Sequence, residues 1–184
     1  KDFAEVLSQY VDAIVCRTCD HGQVESLARY SSCSVINGLT SRAHPCQALT
    51  DLFTLREICG SLEGKSLAYI GDGNNVARSL AVACAKLGVR FSIAAPKGYQ
   101  LNGTFVERLN REYPDFDLKI TDDPQATLAD ACCVYTDVWA SMGQEDEAQT
   151  RQQIFEGYTV NPGLLAKARP GALFMHDMPA HYGE

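Results

Sequence analysis

Short runs of β-branched and small apolar residues alternate along this chain with longer stretches whose apolar residues fall at helical spacing. That alternation limits the possible folds more than any other feature. The runs at 12–17, 34–36, 66–70, 90–94, 117–121, 132–136 and 172–175 read as strands. The stretches at 3–10, 24–30, 45–59, 75–87, 102–112, 124–129 and 144–155 read as helices. The 45–59 stretch sets Leu49, Leu52, Phe53, Leu55 and Arg56 at near-helical spacing. It opens with Pro45, at the position where a missing N–H costs nothing. Strand–helix alternation predicts an α/β fold with a parallel sheet. The turn-rich break from Gly60 to Lys65 divides the chain into a unit at 1–60 and a larger one at 61–184. Sixty residues make a small core, so the first unit is expected to be part of a larger domain.

Composition narrows the function. The chain has 184 residues, 46% of them hydrophobic and 21% charged, which suits a globular protein and excludes disorder as the main state. With 16 Lys and Arg against 23 Asp and Glu the net charge is −7, and no basic stripe is present to attract nucleic acid. No apolar run reaches the roughly 20 residues of a membrane span. The eight cysteines are scattered, mostly in apolar runs, and are expected to be reduced and mostly buried in a cytoplasmic protein. Cys16-Arg-Thr-Cys19 is formally a C-x-x-C, but it neither opens a helix nor has a second pair for zinc, so no metal site is expected.

In parallel α/β sheets ligands bind beyond the carboxyl ends of the strands. Five segments at that position are polar: Arg17; His44-Pro45-Cys46-Gln47; Gly71-Asp72-Gly73-Asn74-Asn75; Asp137-x-x-x-Ser141-Met142-Gly143; and His176-Asp177-Met178-Pro179. Each has a plainer reading. Arg17 suits a surface strand end, His44 a helix cap, and Gly71-x-Gly73 a tight turn. The Gly-x-Gly also suits a dinucleotide loop, but the next strand ends Ile93-Ala94-Ala95-Pro96 without the acidic residue that would hold a ribose.

Taken in order, these segments resemble the aspartate/ornithine transcarbamoylase family, and its ornithine branch in particular. His44-Pro45-Cys46-Gln47 is similar to the family's H-P-x-Q carbamoyl-phosphate motif, and Asp137-x-x-x-Ser141-Met142-Gly143 to its ornithine loop. The resemblance covers essentially the whole chain. It implies two Rossmann-like α/β domains, the first only partly present, assembled as a homotrimer without metal or organic cofactor and serving arginine biosynthesis. It implies that Arg17, His44, Pro45, Cys46 and Gln47 hold carbamoyl phosphate, with Asp177 and Met178 at the junction of the two ligands. Asn75, Asp137, Ser141 and Met142 would hold ornithine, and Arg17, His44 and Asp177 would act in the reaction.

The residue chemistry agrees with that assignment. A dianionic phosphate and a carbonyl becoming an oxyanion call for Arg, His and a helix N-terminus. A cationic diamino acid calls for a carboxylate, whereas aspartate would call for Arg or Lys, and no basic residue lies between Asp137 and Thr150. Two departures stand out. No Ser-x-Arg-Thr phosphate loop occurs in these residues, so the chain is expected to be an internal portion of a longer protein. The family's H-C-L-P is here His176-Asp177-Met178-Pro179, a carboxylate in place of a thiol. Two alternatives stay open: another amine acceptor such as putrescine or an acylated ornithine, and a Rossmann-like nucleotide-binding module without catalysis.

Overall fold

The computed structural model describes residues 1–141, 144–181 and 183. Two parallel sheets follow one another along the chain. The first pairs β1 (Ala13–Arg17) with β2 (Ser34–Leu39), joined through α2 (His21–Tyr30) and preceded by α1 (Asp2–Leu7). After α3 (Pro45–Cys59) come β3 (Ser66–Ile70), α4 (Asn75–Leu87), β4 (Arg90–Ala94), α5 (Gly103–Glu112), β5 (Leu118–Thr121), β6 (Cys133–Thr136), α6 (Ala148–Ile154), α7 (Pro162–Leu165) and β7 (Leu173–His176). These five strands form one parallel sheet in the order β5-β4-β3-β6-β7.

That order places the site. The chain runs outward from β3 to β4 and β5, then returns to the other side of β3 for β6 and β7. The loops leaving β3 and β6 therefore diverge from adjacent strand ends, which makes the crevice where parallel α/β sheets take ligands. All five residues of β3 are buried, as expected of a strand covered on both faces. Leu67 and Tyr69 face a core shared with Leu52 and Leu55 of α3 and Leu80 and Cys84 of α4. Ala68 and Ile70 face a second core with Trp139, Phe155 and Tyr158. This is the alternation of a pleated strand.

The strands at 66–70 and 90–94 and the helices at 45–59 and 75–87 form where the sequence places them. Other elements differ. The 124–129 helix is a single 3-10 turn, Pro124–Thr127, and the 144–155 helix is a 3-10 turn, Glu145–Glu147, followed by α6. The short α7, capped by Asn161, carries too few residues to show a period. In α3 the inward face is Ala48, Asp51, Leu52 and Leu55. Leu49 and Phe53 are about 60% exposed, so five residues at near-helical spacing do not form one stripe. The cysteines also depart from expectation. Cys84, Cys132 and Cys133 are buried, but Cys16, Cys33 and Cys59 are half-buried, and Cys19 and Cys46 are exposed. All eight are free thiols.

Candidate active site

Three loops and one helix start meet at the carboxyl ends of β3 and β6. The Gly71–Asn75 turn is fixed by close approach: a Cβ on Gly73 would lie 2.5 Å from the backbone carbon of Gln100, so only glycine fits. Asn74 caps α4, its Oδ1 accepting from Val76 N and Ala77 N at 3.0 Å each. Its Nδ2 is thereby directed outward and donates to Asp137 Oδ2 at 2.7 Å. Asn75, the next residue, is turned the other way. Its Nδ2 donates to the Thr40 carbonyl at 2.8 Å, stitching the first unit to the second. The sequence reading assigns Asn75 to the ligand and passes over Asn74, although an N-cap asparagine next to an acidic loop is visible in G-D-G-N-N.

Asp137 is buried, 8% exposed. Its Oδ1 accepts from Val138 N at 2.8 Å, and with Asn74 on Oδ2 both partners are neutral. Burial pushes its carboxyl up to about 7, against the pull of those two hydrogen bonds. Among the described residues no lysine or arginine pairs with it. Ser141 is half-buried, its N–H donating to Gln144 Oε1 at 3.0 Å. Met142 lies outside the described residues.

His44 is the N-cap of α3 and is buried. Its backbone N–H donates to Ser79 Oγ at 2.8 Å, which docks the start of α3 on α4. Its Nδ1 is buried and has no hydrogen-bond partner among the described residues. Burial holds the imidazole below its ordinary pKa, with Asp177 opposing and Arg17 pushing the same way, which favours the neutral form of His44. Arg17 ends β1 just beyond a register shift in its pairing with β2, and is exposed. Cys46 is exposed and its thiol donates to the Asn37 carbonyl at 3.4 Å.

Asp177 follows β7 and is half-buried. Burial raises its pKa while His44, His176 and Arg17 draw it down. Desolvation alone is thus enough to raise this carboxyl. The field of Asp177 also reaches Asp51 and Asp137, so it acts on both groups of residues. Met178 is 69% exposed.

Three residues of the site, Asp51, Tyr135 and Arg151, give no motif signal. Asp51, 4% exposed, accepts from Gln47 Nε2 at 3.0 Å and from the Tyr135 O–H at 2.8 Å. Arg151, 6% exposed, donates to Asp72 Oδ2 at 2.7 Å and to the Trp139 carbonyl at 3.0 Å. It thereby clamps the loop after β3 to the loop after β6. The one available signal for Asp51 is a carboxylate on the inward face of a helix, one turn after Gln47. Among the described residues no three His, Cys, Asp or Glu side chains gather as metal ligands would. Likewise no helix among them is long and apolar enough to cross a membrane.

Two family models match. Residues 1–57 fit the aspartate/ornithine carbamoyltransferase carbamoyl-P binding domain, and residues 63–184 fit the Asp/Orn binding domain. The whole chain aligns at 49% identity with 59% of an ornithine carbamoyltransferase of Anoxybacillus flavithermus. It aligns at 49% identity with 58% of the Bacillus subtilis ornithine carbamoyltransferase. The solved structure of the ornithine carbamoyltransferase from Pyrococcus furiosus superposes over all of this chain and 59% of its own, with a TM-score of 0.93 at 46% identity. The chain therefore spans about three-fifths of the length of these relatives. With two family models matching in succession along nearly its full length, the chain belongs to the aspartate/ornithine carbamoyltransferase family.

Proposed function

We propose that the full-length protein transfers the carbamoyl group of carbamoyl phosphate to the δ-amine of L-ornithine, giving citrulline and phosphate. The observation that carries this reading is Asp137, a buried carboxylate whose hydrogen-bond partners among the described residues are neutral, at the crevice between β3 and β6. Such a group is costly until a cation arrives, and a diamino acid supplies one. Putrescine also supplies a cation but has no carboxylate to meet the donors around Ser141, so it ranks second. An acylated ornithine ranks with it. A dinucleotide ranks lower still, since no acidic residue ends β4.

In this reading the units at 1–60 and 61–184 are the end of a carbamoyl-phosphate domain and most of an ornithine domain. Val15 and Ile36, exposed on the two-stranded sheet, fit a first domain only part of which is present. Arg17, His44, Pro45, Cys46 and Gln47 take carbamoyl phosphate at the start of α3, where helix N–H groups favour an anion. Arg17 and neutral His44 polarise the carbonyl. The neutral δ-amine attacks the carbonyl carbon, the C–O bond to phosphate breaks with its electron pair leaving on phosphate, and the nitrogen loses a proton. Asp137, held by Asn74, frames the ornithine side with Ser141 and Met142, and Asn75 borders it from its tie to Thr40, with Asp177 and Met178 between the ligands. Orientation and electrostatics then supply the acceleration. A homotrimer in a cytoplasmic setting belongs to the same proposal.

The test is citrulline formation by the full-length protein and by two variants. Arg17→Ala should raise the KM for carbamoyl phosphate about thirtyfold and Asp137→Ala that for ornithine, each having lost a charge-assisted contact. Equal effects of both variants on one substrate would contradict the division of the site.

A further inference from the structure

Asp51 lies one helical turn after Gln47 on the inward face of α3 and receives two donors from opposite sides of the site. Gln47 Nε2 reaches Oδ1 at 3.0 Å, and the Tyr135 hydroxyl reaches Oδ2 at 2.8 Å. Gln47 stands on the helix that begins at His44, whereas Tyr135 stands on β6, two residues before Asp137. We propose that Asp51 is a positioning residue that decides which end of the Gln47 amide faces the carbamoyl group and ties that choice to the strand that leads into Asp137. The inference rests on the carbamoyl-transfer reading.

A glutamine side chain has a donor end and an acceptor end of nearly equal size, and its neighbours choose between them. A carbamoyl group presents an oxygen and an amino group. With Arg17 and His44 placed for the oxygen, the amino N–H groups need an acceptor. An ionised carboxylate only accepts, so Asp51 takes the NH2 end of Gln47 and leaves Oε1 turned away as the acceptor. The Tyr135 hydroxyl occupies the second carboxylate oxygen and keeps the group from rotating. Burial raises Asp51 to about 6, so the group is still ionised at neutral pH. The fold alone gives no reason for it. A buried carboxylate held by neutral donors is less stable than a well-packed apolar side chain in the same space.

The experiment is a charge-preserving exchange in the full-length protein, with steady-state kinetics for both substrates. In Asp51→Asn the new amide can donate to Gln47 Oε1 and turn the Gln47 side chain around, setting N–H against N–H. In Gln47→Glu two carboxylates meet. Each single variant should raise the KM for carbamoyl phosphate about tenfold to a hundredfold, with the KM for ornithine little changed. In Gln47→Glu/Asp51→Asn the acceptor pattern returns. The amide introduced at position 51 donates to one oxygen of the carboxylate introduced at position 47, and the other oxygen faces the carbamoyl amino group. At least about tenfold should then be recovered over either single variant. A double variant no better than the worse single one, or Asp51→Asn with an unaltered KM, overturns the proposal. If Asp51→Asn fails to fold, calorimetric titration of Tyr135→Phe with carbamoyl phosphate decides instead: severalfold weaker binding supports the role and unchanged binding overturns it. Unmodified protein is assayed first, and an absence of citrulline there overturns the transfer reading as well. Normal turnover with an indifferent Asp51→Asn overturns the positioning role alone.

Discussion

Asn74 Nδ2 donates to Asp137 Oδ2 across 2.7 Å, joining the loop after β3 to the loop after β6 at the point where the strand order reverses. The same side chain caps α4 through its oxygen, so one asparagine both starts a helix and holds a buried carboxylate. Replacing it separates the two duties. Asn74→Ala should lose the cap and the Asp137 contact together, at a cost of about 2 kcal/mol in thermal unfolding. Asn74→Asp should keep the cap but set two carboxylates side by side, weakening ornithine binding by calorimetry far more than it lowers Tm.

Asp137 makes a stability prediction of definite sign. Its folded pKa is raised to about 7 from an ordinary value of 3.8, so the folded state holds a proton that the unfolded chain gives up. Stability is therefore lost as pH rises through that interval and stays lost above 7. Asp137→Asn, neutral throughout, should gain on the unmodified protein by about 2 kcal/mol between pH 5 and pH 8, measured by denaturant unfolding at both values. The same variant should bind ornithine poorly. A stability gain independent of pH would mean that Asp137 carries no buried charge.

Arg151 and Asp72 form an ion pair with side chains 7% and 12% exposed. Burial keeps Asp72 raised even with the guanidinium in contact, so removing Arg151 leaves a desolvated carboxylate. Arg151→Ala should cost about 3–5 kcal/mol, more at high pH than at low. Arg151→Met/Asp72→Asn should recover part of that loss in the same melting experiment.

Sequence is most legible where a physical period or a fixed spacing carries the information. The buried strand β3 and the helix α4 follow from a run of apolar residues and from the amphipathic stretch after it, whereas the Asn74 cap is seen only in the structure. His44, Gln47 and Asp137 stand out because their loops have distinctive chemistry. Asp51, Tyr135 and Arg151 do not, because each sits inside a regular element and gains its meaning from a partner 84 or 79 positions away. The paired asparagines are the opposite case. The motif names both, and only the geometry shows that Asn74 faces Asp137 while Asn75 faces Thr40.

Asp177 stands where the family has a thiol, and its field acts on both halves of the site. Its raised carboxyl should produce an acid limb in kcat/KM for ornithine, activity falling as pH drops through that pKa. In Asp177→Asn that limb should shrink to the part set by Asp137, whose carboxyl is pushed up to about 7, and in Asp177→Cys the thiol should titrate near its reference of about 8.5. Identical pH profiles for the three proteins would remove Asp177 from the site.

Acceptor choice tests the central claim most directly. The full-length protein is given carbamoyl phosphate with equal concentrations of ornithine, putrescine and aspartate, and the carbamoylated products are separated and counted. Citrulline should be the dominant product, with carbamoyl-putrescine a minor one and no carbamoyl-aspartate. Asp137 attracts a cation, and among the described residues no arginine or lysine pairs with it to take a second carboxylate. Carbamoyl-putrescine in excess, or no carbamoylated amine at all, would contradict it.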